Sequence, residues 1–320
     1  MVLPTLSRGP GPVAGRFTPT RDWRAPGPLD LRLVLGPLRR GPADPTFRIT
    51  GDGAVWRVSR TPDGPGTLRV TASSCGGGAR GAAWGPGADW LLHRLPHLLG
   101  ESDSPEVFEP RHRLVAATLR RRPGLRLTRT GLVLESLIPS ILEQKVTTDE
   151  AYRAWRLLVR KYGSPAPGPA PSGMYAMPEP GTWRLIPSWE WHRAGVDNKR
   201  ASTILRAVRV AGRLEEAAAM PPPEARTRLE LVPGIGPWTS AETVQRSHGA
   251  PDEVTVGDLH LPGIVGYALT GVRDADDATM LDLLKPYEGQ RHRAARLILL
   301  SGRTPPRRTP KMPKTDIAHL

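Results

Sequence analysis

Two short segments of this 320-residue chain hold residue types that could grip an anion and support a charged transition state. The first is Val232-Pro233-Gly234-Ile235-Gly236, between a helical pattern ending at Leu231 and a second one opening at Pro237. Proline at a first helical position needs no N–H partner and has its φ already set, so the second helix is well signalled. Two glycines around one isoleucine let the backbone turn sharply with positive φ, while Ile235 fills the gap between the helices. A turn without Cβ atoms, followed by a helix N-terminus, presents free N–H groups to an anion such as a nucleic-acid phosphate. Read alone, the same four residues PGIG are equally an ordinary helical hairpin whose glycines cap a helix.

The second segment is Val254-Thr255-Val256-Gly257-Asp258-Leu259-His260-Leu261, which leads into an apolar helix. Asp258 follows a glycine and opens that helix, a setting in which a carboxylate stays ionised. Aspartate there is a helix N-cap, a catalytic carboxylate, or both.

The bulk properties fit a polyanion partner. The formal net charge is +14 and the pI near 10.8, and dispersed Lys and Arg gain affinity for nucleic acid through counterion release. A general Arg/Gly/Pro bias, with 34 Gly and 36 Pro, would raise the charge too. The single cysteine, Cys75 in SSCGGG, excludes an intramolecular disulfide and a zinc or iron–sulfur centre built on several thiolates. His192, His260 and His292 lack metal-ligand spacing, so no catalytic metal is expected. No apolar run reaches membrane-spanning length and the N-terminus lacks a secretory h-region, which points to a cytoplasmic protein without membrane contact.

The elements that position the two segments can be outlined from patterning. Residues 1–27 are Pro/Gly/Arg-rich without periodicity and read as a flexible basic extension. LDLRLVLG, TFRIT, AVWRVSR and TLRVTAS alternate apolar and polar residues, predicting a small antiparallel β-containing domain over 28–88, with Gly76 to Gly87 as a linker. From 89 to 303 the pattern is helical. Leu134, Leu137, Ile138, Ile141 and Leu142 form one stripe, interrupted by Pro139, which should kink or break the helix. Thr147 and Glu150 make a capping-box pattern, and a Pro/Gly/Ala loop covers about 164–181. Further helices are expected at about 188–194, 197–219, 222–231, 237–247, 259–270, 276–285 and 288–301, before a basic tail over 304–320 that reads as disordered. The fold class is α+β: a small N-terminal β domain, then a large all-α region.

Four motifs in order carry a family resemblance over roughly residues 89–300: LESLIPSILEQKVT, WHRAGVDNKRASTI, the hairpin followed by Asp258, and the closing PYEGQRHRAA helix. Together they resemble the helix-hairpin-helix DNA glycosylases, in particular the 3-methyladenine DNA glycosylase II branch, whose small mixed α/β domain the β-rich start also resembles. The resemblance implies an all-α region of two helical lobes with a cleft, and a monomer acting on double-stranded DNA that contains damaged bases. It assigns Asp258 as the catalytic carboxylate. Breaking an N-glycosidic bond builds positive charge on the sugar, which a fixed carboxylate stabilises while orienting the attacking water.

The resemblance implies more. Family members that also cleave the backbone carry a lysine where this chain has Trp238, and indole cannot form a Schiff base. A monofunctional enzyme is implied, one that leaves an abasic site. An electron-rich indole also attracts a cationic base by about 0.5–2 kcal/mol, which suggests alkylated purines of the 3-methyladenine and 7-methylguanine type. Trp189, Trp191 and Tyr287 are further pocket candidates, with core packing as their alternative. Gln144 or Lys145 would fill the gap left by the extruded base. No cofactor is implied beyond a monovalent cation on the hairpin carbonyls of Val232 and Ile235. The alternatives are a non-catalytic helix-hairpin-helix DNA-binding protein, and a glycosylase for deaminated or oxidised bases.

Overall fold

The computed structural model describes residues 18–73 and 77–306. The first seventeen residues of the expected extension, the Cys75 loop and the tail from 307 lie outside the described residues.

The N-terminal part is one antiparallel sheet of β1 (Thr20–Arg24), β2 (Phe47–Ile49), β3 (Val55–Thr61), β4 (Gly64–Ala72) and β5 (Gly78–Trp84), in the order β1-β5-β4-β3-β2. Helices α1 (Leu31–Leu35) and α2 (Ala88–Leu98) cover it, burying Val34, Leu35, Leu68, Leu95 and Leu99 in one cluster. Two strands fall where none was expected. β1 lies inside the segment read as a flexible extension, and β5 inside the presumed linker 76–87. β1 (TRDWR) is a charged edge strand whose order comes from outside itself. Arg80 pairs with Asp22 at 2.7 Å, and Arg21 donates to the carbonyls of Leu92 and His93. β5 (GARGAAW) has too few large side chains to alternate visibly. Its glycine is needed, because a Cβ on Gly81 would stand 2.7 Å from Leu95 Cδ2 of α2.

The helical part runs α3 (Arg113–Arg121), α4 (Val133–Leu142), α5 (Thr148–Tyr162), a two-residue pair β6 (Ser164–Pro165) and β7 (Tyr175–Ala176), then α6 (Pro180–Leu185), α7 (Ser188–Arg193), α8 (Asn198–Arg209), α9 (Ala211–Glu215), α10 (Pro222–Glu230), α11 (Pro237–Ser247), α12 (Leu261–Thr270), α13 (Asp277–Leu284) and α14 (Arg291–Leu300). The β6–β7 pair interrupts the segment read as a loop, and the helix expected over 197–219 breaks at Val210. α4 runs through Pro139 to Leu142, and its expected stripe is buried. The Thr147–Glu150 capping box forms as expected.

Two cores divide the helices. One surrounds α4 and takes in Trp155, Trp183, Ile204, Leu229 and Val244. The other joins α3 to α12, α13 and α14 through Val115, Val265, Met280, Leu284 and Leu297. α3 thus belongs in space with the end of the chain. No helix among the described residues is long and apolar enough to cross a membrane.

Candidate active site

The hairpin joins α10 to α11. Val232 and Ile235 are buried in the α4 core, and the Ile235 N–H donates to the Val232 carbonyl at 3.0 Å. Gly234 has φ +100, and a Cβ there would sit 2.2 Å from Thr203 Oγ1 of α8, so both conformation and space demand glycine. Gly236 differs from expectation. Its φ is −114 and a Cβ would meet nothing within 4 Å, so only one of the two glycines turns the chain. Gly236 instead leaves bare backbone beside the first turn of α11, whose N–H groups have no intrahelical acceptor. Arg206 donates to the Pro233 carbonyl at 3.2 Å, adding a guanidinium to the same edge.

Gln144 and Lys145, past the end of α4, separate in role. The Gln144 amide donates to the Gly234 carbonyl (3.0 Å) and to Thr239 Oγ1 (2.8 Å), clamping α4 to the hairpin. Lys145 is exposed at φ +55, the one non-glycine with positive φ among the described residues. A lysine in the left-handed region persists only where its surroundings over-determine it.

Asp258 follows Gly257, itself at φ +83 with its N–H donating to Asp277 Oδ2. Asp258 Oδ1 accepts from the N–H groups of His260 and Leu261, both at 2.8 Å, in the turn that leads into α12, whose N-cap position is His260 rather than Asp258. Oδ2 accepts from the Trp238 indole N–H at 3.0 Å. Three N–H donors thus hold the Asp258 carboxylate in place. Trp238, expected as a wall for the base, instead anchors the carboxylate.

Asp258 lies at the edge of a cavity of about 250 Å³ between α11 and α14. α11 contributes Glu242, Gln245 and Arg246, the stretch before Asp258 contributes Val254 and Thr255, and α14 contributes His292, Ala295, Arg296 and Leu299. Its polar wall is ordered. Glu242 pairs with Arg246 at 2.6 Å and accepts from Thr255 Oγ1 at 3.0 Å, while Gln245 bridges Thr255 and the Glu253 carbonyl. Burial opposes the Arg246 charge, yet the Glu242 and Glu143 carboxylates hold its pKa above the ordinary value. Burial, with the Arg296, Arg246 and Arg293 charges beside it, drives His292 well below the usual histidine value, so its ring is neutral at pH 7. Burial and then the Arg246 charge lower Arg296 to about 10, where it stays protonated.

None of the expected aromatic walls lines this cavity. Trp191 is buried in the α4 core, stacked on Trp183 at 5.7 Å, with its N–H on the Ile186 carbonyl. Tyr287 stacks on Phe108 in the other helical core. Both are structural, as their spacing on apolar faces allowed. Trp189 is 65% exposed and outside the cavity wall. The residues missed were Glu242, Gln245, Arg246, His292 and Arg296. A usable signal existed in polar residues at i, i+3, i+4 on α11 and at i, i+4 on α14, spacings that place each set on one helix face.

No family model matches the chain, and no curated protein matches it in sequence. Solved structures do. The 3-methyladenine DNA glycosylase from Archaeoglobus fulgidus superposes with TM-score 0.70 at 16% identity, over 88% of this chain and 98% of that one. MBOgg1, in complex with a low affinity DNA ligand, gives TM-score 0.70 at 14% identity over 91% and 98%. The 8-oxoguanine glycosylase/lyase from Clostridium acetobutylicum, bound to dsDNA with cytosine opposite 8-oxoG, gives TM-score 0.67 at 12% identity over 87% and 92%. At these identities the likeness is one of architecture: the chain has the α+β fold of the helix-hairpin-helix DNA glycosylases.

Proposed function

We propose that the protein is a monofunctional DNA glycosylase that extrudes an alkylated purine from duplex DNA and releases it by hydrolysis at Asp258. The observation that carries this reading is the Asp258 carboxylate, fixed by three N–H donors at the edge of a base-sized cavity. A carboxylate held before substrate arrives needs no reorganisation when charge develops on the sugar, the most effective form of electrostatic stabilisation. With both Oδ1 acceptor sites taken, Oδ2 keeps one lone pair to orient the attacking water.

The hairpin N–H groups, Arg206 and the +14 net charge suit a phosphate backbone. A monovalent cation on the turn would find the Ile235 carbonyl and the Val232 carbonyl, the latter shared with an N–H, and would need further ligands from the DNA. Lys145 takes the role of filling the gap, since the Gln144 amide is committed to the hairpin. Trp238 in place of a lysine supports hydrolysis without backbone cleavage.

The alkylated class is supported by what the cavity lacks as well as by the resemblance. An alkylpurine cation leaves without prior protonation. Glu242 is bonded to Arg246 and Thr255, and His292 is already neutral, so neither of these two groups is poised to protonate a neutral base.

The test is incubation with methylated duplex DNA, comparing wild type with Asp258→Asn and measuring free bases and abasic sites. Release by wild type and loss of at least about a hundredfold in the variant are expected, the scale of removing a transition-state charge interaction. Salt-dependent duplex binding with no base release by either protein would instead support a non-catalytic DNA-binding module.

A further inference from the structure

Arg296 stands out on the cavity wall. Among the described residues its guanidinium makes one hydrogen bond, Nη2 to the Leu33 carbonyl at 3.3 Å, and no ion pair. Its neighbours are committed. Arg246 is held by Glu242 and the Pro37 carbonyl, and Gln245 by Thr255 and the Glu253 carbonyl. Arg296, with a single hydrogen bond and no ion pair, is therefore the charged side chain on this wall with the most N–H groups to offer a ligand. It sits one helical turn beyond His292, on the α14 side of a cavity that Asp258 enters from the α12 side.

A purine whose glycosidic bond lies at Asp258 projects its six-membered ring away from that carboxylate. On that edge the substituent at position 6 distinguishes the two purines, a carbonyl acceptor in guanine and an amino donor in adenine. A guanidinium facing a carbonyl gains a charge-assisted hydrogen bond. The same guanidinium facing an amino group sets donor against donor in a water-poor site, and neither is satisfied. We propose that Arg296 is the residue that reads the base, selecting guanine-derived alkylpurines through their 6-carbonyl over adenine-derived ones. The inference rests on the glycosylase reading and adds the substrate class within it. The positive charge of the alkylated ring faces the Asp258 carboxylate, Glu242 being already paired with Arg246.

The experiment uses two bases alkylated at the same position, so that their intrinsic lability is comparable. Methylated duplex DNA is treated with the full-length protein, and released 3-methylguanine and 3-methyladenine are quantified from the same reaction. For Arg296→Met, which keeps the aliphatic stem and removes the donors, 3-methylguanine release should fall about tenfold, the discrimination typical of a good base contact. Release of 3-methyladenine should change less than about twofold, and Arg296→Lys, which restores a donor, should recover part of the ratio. Equal loss of both bases in the Met variant, or an unchanged ratio, overturns the assignment and leaves Arg296 a packing residue. The ratio is internal to each reaction, so partial unfolding of a variant lowers both yields without mimicking the expected result. Wild-type protein that releases neither base defeats the glycosylase reading itself, which separates the two failures.

Discussion

Trp238→Phe isolates the one contact that links the hairpin helix to the candidate catalytic carboxylate. The ring is kept and the N–H lost, so Asp258 Oδ2 loses its 3.0 Å donor while Oδ1 keeps the His260 and Leu261 N–H groups at 2.8 Å. A hydrogen bond to a charged group contributes about 1.5–3 kcal/mol. If that contribution serves to hold Oδ2 toward the sugar and water, it enters the barrier. At 1.36 kcal/mol per decade the rate of base release should fall about 10- to 100-fold. Trp238 is half-buried and its ring remains, so the stability cost should not exceed that of the one lost hydrogen bond, about 1.5–3 kcal/mol. The assay is single-turnover excision from alkylated duplex with enzyme in excess, which separates chemistry from binding and product release, alongside duplex affinity. A rate within about twofold of wild type, or a loss confined to DNA affinity, would refute the reasoning.

Other perturbations test the surrounding geometry. Gly234→Ala should destabilise the protein by about 1–3 kcal/mol from backbone strain alone, and further through the 2.2 Å clash with Thr203 Oγ1. Gly236→Ala, at negative φ with open space, should leave the melting temperature unchanged and weaken duplex binding instead. Lys145→Gly relieves the φ +55 backbone and should raise stability by about 1 kcal/mol. The same variant should slow excision from duplex more than from single-stranded DNA. Because the folded-state pKa of His292 is depressed, its contribution is present above the unfolded value near 6.5 and is lost as pH falls. Denaturant titrations should therefore show the protein losing stability from this residue as pH falls from about 7.5 to about 5.5, and His292→Gln should flatten that part of the slope.

Much of this molecule could be read locally. The hairpin, the capping box at Thr147, the apolar stripe of α4 and the position of Asp258 depend on residues within a few turns of one another. Local backbone preferences and helical periodicity therefore expose them in one dimension. The substitution of Trp238 for a lysine is likewise a matter of residue type at a counted position. What the chain order concealed is anything that depends on a partner from elsewhere. β1 and β5 become strands because they pair with each other and because α2 packs on Gly81, while neither carries the alternation that marks a strand alone. Trp191 and Tyr287 are core side chains, although an aromatic on an amphipathic helix reads equally well as a pocket wall. The cavity wall was assembled from Pro37, Leu127 and Thr128 together with α11, α14 and the loop before α12, and only folding brings Glu242, His292 and Arg296 beside Asp258. Their burial, and with it the neutral state of His292 and the lowered pKa of Arg296, comes from desolvation and neighbouring charges, which no linear spacing encodes.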